Sequence, residues 1–538
     1  MADASQDPPE LVRAMLEPGL YPGAPRSVEL RDTHISWVFL AGERAYKVKK
    51  PVVFPFLDYG TLERRHRMCQ EEVRLNRRLA PRIYLGVVGI ARRGDRYALT
   101  GEDDPEAIEY AVEMRRVDEE RSLAALVARD ELERSQLAAV AARLARFHAE
   151  APVAAAERRD VGVLIDTLDE NLATLREAGG AILGPERLDA AERFTGAFMS
   201  ARRPELEARA RGGLVRDCHG DLRAEHVIVP SRGDLYVYDC VEFNPALRQI
   251  DVAADITFLV MDLARLGAEG PAVQLIDDYR RAGGDPGDDA LVAFLASYRA
   301  WVRAKVACLR ALELAERDPE RTGQEAEAGE LLGLGHRFAW RARRPMLLVI
   351  AGVAGTGKTT LARRLAELSG WAHISSDLTR KRLAGLRPTE RGAEEHYSPE
   401  ATMRTYAEMG RRARAELARN GAAIVDATFH RRASRAAFRD QLGDLRDRLL
   451  LVECTAPADL LLARAKRGEL QRDRVSDAGA AVIRRQLAEL EPIEERWAAA
   501  RTKLSTDPPV EQLVAEVEGF IDRTLWMGGV APGRGQSR

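Results

Sequence analysis

Hydrophobic and polar positions alternate with a short period near the N-terminus, drift to a helical period through the middle, and end in alternating blocks of both. Residues 1–25 read as a loosely held lead-in with a short helix over 9–16, closed by Pro18 and Gly19. Strand-like runs follow at 27–30, 35–40 and 45–48, the last two joined by a tight Ala41-Gly42-Glu43 turn. A Glu- and Arg-rich helix is predicted over 62–79, then strands over 83–88, 97–100 and 108–117. Residues 26–117 are thus expected to form a small antiparallel sheet carrying one helix.

Residues 118–316 are predicted to be mostly helical, with 3.6-residue periodicity at 123–127 and 132–148. The pattern breaks at 213–239, where short strand-like runs 227–229 and 235–238 flank a Ser231-Arg232-Gly233 turn. Helices resume over 250–266, 272–282 and 290–316. The segment 317–344 opens with a charged, apolar-poor stretch and reads as a linker or an exposed helix. From 345 to 527 strands (346–350, 372–375, 422–425, 449–454) alternate with helices (358–368, 399–420, 432–442, 457–467, 478–490, 510–525). That alternation predicts a doubly wound α/β domain with a parallel sheet covered on both faces. Residues 528–538 read as a flexible tail.

The chain has 538 residues, too many for one core, so several domains are expected. Lys and Arg number 82 against 84 Asp and Glu, a net charge of −2 that offers no global polycation for nucleic acid or anionic membrane. Cys69, Cys218, Cys240, Cys308 and Cys454 are scattered, with no CxxC pair to hold zinc. The N-terminus MADASQDPPE is polar, unlike a signal peptide, and no apolar run approaches the roughly 18 residues of a membrane span. A soluble cytoplasmic protein is expected.

The sharpest chemical signal is the run from Met346 to Leu365. A buried-type strand enters a loop of Gly352, Val353, Ala354, Gly355, Thr356 and Gly357, and Lys358, Thr359 and Thr360 open a helix. This is G-x-x-x-x-G-K-T in strand–loop–helix context, the spacing that turns main-chain N–H groups and a helix N-terminus into a phosphate cradle. Lys358 reaches the outer phosphates and Thr359 is placed to ligate Mg²⁺, so ATP and Mg²⁺ are the expected cofactors.

A second constellation lies upstream, RDCHGDLRAEHVIV at 216–229 followed by YVYDCVEFNP at 236–245. It resembles the catalytic and metal loops of the aminoglycoside phosphotransferase family, which implies a bilobal kinase-like α+β fold with a small lobe over 26–117 and a helical large lobe over 118–316. The resemblance makes Asp221 the base for an acceptor hydroxyl and Asp239 the Mg²⁺ ligand. It places Lys47, or Lys49 two residues on, against the nucleotide phosphates with Glu72 as its partner, and Met114 at the adenine-binding hinge. Asp251 and Asp255 either brace the catalytic loop or serve as helix N-terminal carboxylates. His219 is expected to hold the loop by hydrogen bonding. Two departures stand out. His226 occupies the family's metal-binding asparagine position, and imidazole is a poor Mg²⁺ ligand. The site then runs on one metal, or Glu225 compensates, or the site is weak. Nor does a glycine-rich turn precede Ile35, where Arg31-Asp32-Thr33-His34 stands.

Around the phosphate loop, Ser376-Asp377, Asp426-Ala427-Thr428 and the arginines Arg464, Arg467, Arg472 and Arg474 resemble the small P-loop kinases that include gluconate kinase, polynucleotide 5′-kinase and the zeta toxins. That likeness makes Asp377 the acceptor base, with a helix cap as its bland alternative. It makes Asp426 a metal or substrate contact, and Arg464 and Arg467 part of a lid over the phosphoryl group rather than a solvated basic face. The expectation is two fused ATP-dependent kinases acting on a small-molecule hydroxyl, of sugar, amino sugar or amino alcohol class. Two alternatives stand beside it: a P-loop ATPase coupled to a catalytically weak binding domain, and a nucleic-acid 5′-kinase.

Overall fold

The structure, a computed structural model, describes residues 10–54, 57–390, 392–469, 479–493 and 498–527. The chain divides into two compact units: Met1–Thr167 with Pro204–Ala300 and Glu313–Glu316, and Leu168–Arg203 with Trp301–Leu312 and Arg317–Arg538.

The first unit is built on a six-stranded antiparallel sheet. Its spatial order is Val28–Asp32, Ser36–Ala41, Arg44–Lys49, Ala107–Arg115, Tyr84–Arg93, Arg96–Thr100. The helix Leu62–Asn76, capped by Thr61 accepting from the Arg64 N–H, covers one face. Side chains two apart on a strand share a face. Tyr46 and Val48 therefore pack with Phe39, Val12 and Met15 on one side. Ala45 packs with Cys69 and Val73 of the helix on the other, and Lys47 and Lys49 project to that same side. From Glu10 onward the lead-in is more ordered than its composition implies: Glu10–Met15 is helical, and Val12, Met15 and Tyr21 are buried. Three apolar side chains on one helical turn and its exit suffice to dock it.

Further along this unit, short strands Val215–Asp217 and Gln249–Asp251 pair antiparallel, as do Val227–Ile228 and Tyr236–Val237. These ladders frame the HGD loop at 219–226. The helix Val252–Arg265 follows at once, capped by Asp251 accepting from the Ala253 N–H.

The second unit contains a five-stranded parallel sheet in the order Ala372–Ser375, Ala422–Ala427, Met346–Ala351, Leu449–Thr455, Ala500–Ser505. The central strand Met346–Ala351 is buried throughout, as a continuous apolar run demands in a two-sided sheet. Met346, Leu348 and Ile350 pack against Leu361, Leu365 and Val517. Leu347, Val349 and Ala351 pack against Tyr406, Met409 and Ala413 on the opposite face. The edge strand Ala500–Ser505 was not expected, because ARTKLS lacks an apolar run. The segment expected to be a linker or exposed helix is helical over Pro319–Ala342, and it is not a solvated one: Leu331, Leu332, Leu334, Phe338 and Trp340 are buried along its C-terminal half. Among the described residues no helix is long and apolar enough to cross a membrane.

Candidate functional site

The strand Met346–Ala351 delivers the chain to the C-terminal edge of the parallel sheet, where open α/β folds bind ligands. Gly352 passes under the next strand so closely that a Cβ there would lie 2.6 Å from the Cys454 carbonyl oxygen, so only glycine fits. Gly357, in the left-handed region at φ 79°, caps the helix Lys358–Ser369 and turns its first N–H groups toward the loop. Thr359 Oγ1 donates to Asp426 Oδ2 at 2.7 Å. Asp426 faces Ile350 in the neighbouring strand and is buried. Its other oxygen pairs with His373 Nε2. Thr359 and Asp426 thus come together as a hard-oxygen pair beside the phosphate loop, a donor set that fits Mg²⁺. His373, which carried no sequence signal, orients the carboxylate.

The loop itself is held from outside. Gln486 Oε1 accepts the Ala354 N–H at 2.8 Å. Val353 and Ala354 pack on Leu461, Ala465 and Ile483. Arg464 donates to the Thr506 carbonyl at 2.6 Å, to Thr506 Oγ1 at 3.2 Å and to the Gly355 carbonyl at 3.4 Å. This guanidinium, expected over the transferring phosphoryl group, ties the loop to the segment after the last strand. The helix Ala458–Glu469 carries Arg467, but its side chain, like Arg472 and Arg474, lies outside the described residues.

Asp377 stands in the first turn of the helix Ser376–Leu383. The cap position is Ser375, so Asp377 is not the N-cap. Its carboxylate lies 3.4 Å from Arg380 Nη1, and the Arg380 guanidinium sits over the Tyr397 ring at 4.9 Å. Nearby, Tyr406 OH, Thr428 Oγ1 and His430 Nδ1 form a chain of 2.9 and 3.0 Å contacts. Burial, then Arg431, lowers the His430 pKa, which favours the neutral ring. Phe429 holds φ 48°, a costly conformation for a non-glycine residue, with its N–H donating to Tyr406 OH at 3.1 Å.

In the first unit the upstream candidates also converge. Lys47 Nζ lies 2.9 Å from both Glu72 Oε1 and Asp239 Oδ1. Lys49, fully buried, bonds Glu72 Oε2 at 2.7 Å and also pairs with Glu242, whose other contact is Tyr59 OH at 2.7 Å. Both alternatives for the lysine therefore share Glu72, and Lys47 is the one that reaches Asp239. Burial would push the Asp239 carboxyl up, but the Lys47 ammonium beside it holds it well below the usual carboxylate range. Asp239 sits at φ 64°, a second strained position. Met114 is buried in the apolar cluster with Ala45 and Tyr84.

Asp255 braces the HGD loop: it accepts from the His219 N–H at 2.9 Å and the Gly220 N–H at 2.8 Å, and lies 3.1 Å from His148 Nε2. Asp251 instead caps its helix and takes two 2.8 Å bonds from Arg209. His219 bonds the Tyr238 carbonyl at 3.0 Å, and burial pushes its pKa down to about 4, so it serves the loop as a neutral ring. Arg223, which the sequence reading passed over, donates to Asp221 Oδ2 at 3.0 Å and bonds His226 Nε2 at 3.0 Å.

A protein of Mycobacterium tuberculosis and one of Mycobacterium bovis, both named as uncharacterized, are each 33% identical over 466 residues, spanning 85% of this chain and 90% of theirs. The chain belongs to the family of these mycobacterial proteins. Within this family member, a family model described as an AAA domain matches residues 347–493. A shikimate kinase of Nitrobacter winogradskyi is 32% identical over 182 residues, 34% of this chain and 79% of that enzyme. The structure of a gluconokinase from Sinorhizobium meliloti 1021 aligns over 34% of this chain and 94% of its own, at 22% identity and a TM-score of 0.25. The C-terminal part is thus a P-loop kinase-like α/β domain similar to shikimate kinase, within a multidomain chain. Of the residues the sequence did not flag, Arg223 sits inside a motif already noticed, two positions from Asp221. His373, Gln486 and Thr506 carry no local pattern and are found only through their contacts.

Proposed function

We propose that this chain is an ATP-dependent phosphotransferase whose P-loop domain transfers the γ-phosphate to a hydroxyl of a small molecule. One observation carries the reading. The Thr359–Asp426 pair and Asp377 stand at the C-terminal edge of adjacent strands, with Ser375 and Asp426 in register. Phosphoryl transfer needs a phosphate cradle, a metal held by oxygens and a carboxylate on the nucleophile. The loop N–H groups with Lys358, the Thr359–Asp426 pair that would hold Mg²⁺, and Asp377 are those three parts. Asp377 orients the acceptor hydroxyl and takes its proton, and Arg380 beside it favours an acceptor bearing negative charge. One relative is by its name a shikimate kinase, which is consistent with an acceptor that is a small acid.

The first unit is, on this reading, an aminoglycoside phosphotransferase-like domain with its small lobe over 26–117 and large lobe over 118–316. Support comes from the convergence of Lys47, Glu72 and Asp239 from three distant segments beside the braced HGD loop. Asp221 would be its base and Asp239 would hold its metal. A second reading, in which this unit binds nucleotide without efficient transfer, is favoured by one observation: His226 sits where an oxygen ligand is expected. A nucleic-acid 5′-kinase has no comparable support. Five buried, unpaired thiols fit a reducing, cytoplasmic setting.

The test is ADP release with panels of sugar acids, sugars, amino alcohols, aminoglycosides and oligonucleotides, with product mass confirmed by mass spectrometry. Lys358→Ala, Asp377→Asn and Asp221→Ala are run beside the parent. The reading fails if no hydroxyl acceptor gains a phosphoryl group. It loses its first-unit half if Asp221→Ala changes no reaction while Lys358→Ala removes all of them.

A further inference from the structure

Kinase-like sites of the kind proposed for the first unit use two divalent ions, held by the aspartate of the hairpin and by an asparagine of the catalytic loop. Here those positions are Asp239 and His226, and the donor set at His226 does not fit a cation. A guanidinium has five N–H donors and no acceptor. The 3.0 Å contact between Arg223 Nη2 and His226 Nε2 therefore uses the imidazole lone pair on Nε2. The ring proton then sits on Nδ1, which donates to the Asp221 carbonyl at 2.9 Å. Both nitrogens are spent. Nε2 is also the atom that faces Asp239, 3.6 Å from its Oδ2. An ion between them would have to displace the arginine.

Arg223 is firmly seated. Its Nε bonds Asp221 Oδ2 at 3.0 Å, and its remaining terminal nitrogen pairs with Glu225. The main chain beneath it is pinned by the Ala224 N–H on Asp262 Oδ2 at 2.8 Å. Asp221, Glu225 and Asp239 together hold the guanidinium protonated against its burial.

We propose that Arg223, seated on His226 and Asp221 beside Asp239, takes the place of the second divalent ion, so that the first unit binds a nucleoside triphosphate with one metal and one guanidinium. The ring of His226 orients the arginine and is not a ligand. Fixed positive charge at this point meets the polyphosphate as a second cation does, and a planar fork suits phosphate oxygens. This inference rests on the phosphotransferase reading of the first unit.

The test uses the full chain carrying Lys358→Ala, with Mn²⁺ and a non-hydrolysable ATP analogue. Electron paramagnetic resonance counts the Mn²⁺ bound per nucleotide, and the nucleotide lost on adding Lys47→Ala defines the first-unit share. One Mn²⁺ per first-unit nucleotide is expected, rising to two when Arg223→Ala is combined with His226→Asn. Arg223→Ala alone is expected to weaken analogue binding by about tenfold. Two Mn²⁺ with Arg223 and His226 intact overturns the proposal, a count needing no substitution at the loop that could misfold. Undiminished affinity in Arg223→Ala also overturns it. No Lys47-dependent nucleotide binding overturns instead the reading on which it rests, a distinct outcome.

Discussion

The two candidate sites solve the same electrostatic problem with different materials. The P-loop site is made largely of main chain: N–H groups of residues 352–359 form the cradle, and one buried carboxylate, Asp426, waits beside Thr359. The first-unit site is made of side chains that already neutralise one another. Lys47 holds Asp239 and Glu72, Lys49 holds Glu72 and Glu242, and Arg223 holds Asp221. A main-chain cradle is charged toward its ligand whatever the side chains do, because its dipoles cannot be rearranged away. A side-chain network must exchange partners when a triphosphate arrives, and its charges also carry the fold. Binding and stability should therefore separate in the P-loop domain and stay entangled in the first unit.

The strongest test of that contrast is Lys49→Ala. It leaves Glu242 buried without its paired lysine and Glu72 with one of its two, and is expected to destabilise the first unit by about 3–5 kcal/mol. Hydrogen exchange read by mass spectrometry would show the loss in 26–117 and not in 346–522. Lys358→Ala should do the reverse: a fall of about a thousandfold in acceptor phosphorylation, with melting changed by less than about 0.5 kcal/mol. A large loss of stability from Lys358→Ala would break the comparison.

Asp377→Asn is expected to lower kcat by about a hundredfold with little change in nucleotide affinity, since a base acts on the acceptor and not on ATP. Acidification is a gentler probe. His219 and His336 are buried, and burial lowers their pKa to about 4 and about 3. Each is neutral in the fold and takes up a proton on unfolding below its ordinary value of 6.5. Their contribution is complete above pH 6.5 and is lost as pH falls toward 4, at up to about 1.4 kcal/mol per pH unit each. Urea midpoints at pH 7.5 and 4.5 should differ in both units. His219→Gln should flatten the slope in the first unit alone. The smallest effect is expected for Gln486→Leu, which frees the Ala354 N–H and should weaken ADP binding by about fivefold in calorimetry.

Much of the secondary structure was legible in the chain. Five consecutive apolar residues before a glycine loop become the central strand, and 399–420 is a helix at the expected bounds. What escaped has a common cause. The edge strand Ala500–Ser505 alternates, with Ala500, Thr502 and Leu504 inward and Arg501, Lys503 and Ser505 exposed, but with only Ala500 and Leu504 apolar the period is too faint to mark a strand. The helix Pro319–Ala342 begins in a charged run, and its buried face emerges only where Leu331 to Trp340 meet a partner. For Arg464 the sequence shows only a cation near a phosphate loop, and its bonds to the Thr506 and Gly355 carbonyls come from contacts no local pattern carries.

By itself the sequence determined the short-range facts: the strand–loop–helix cradle at 346–365, the presence of acid and base candidates, and the pairing of two unlike architectures in one chain. These follow from local spacing, since loop geometry and helix entry depend on residues a few positions apart. Only the tertiary structure decided which charges meet. Lys47 and Asp239 are 192 positions apart, and Gln486 reaches Ala354 across 132. Whether His226 can ligate an ion depends on an arginine three residues away whose direction is set by packing. Coulomb and hydrogen-bond energies fall off over ångströms in space, and sequence separation carries no record of those distances.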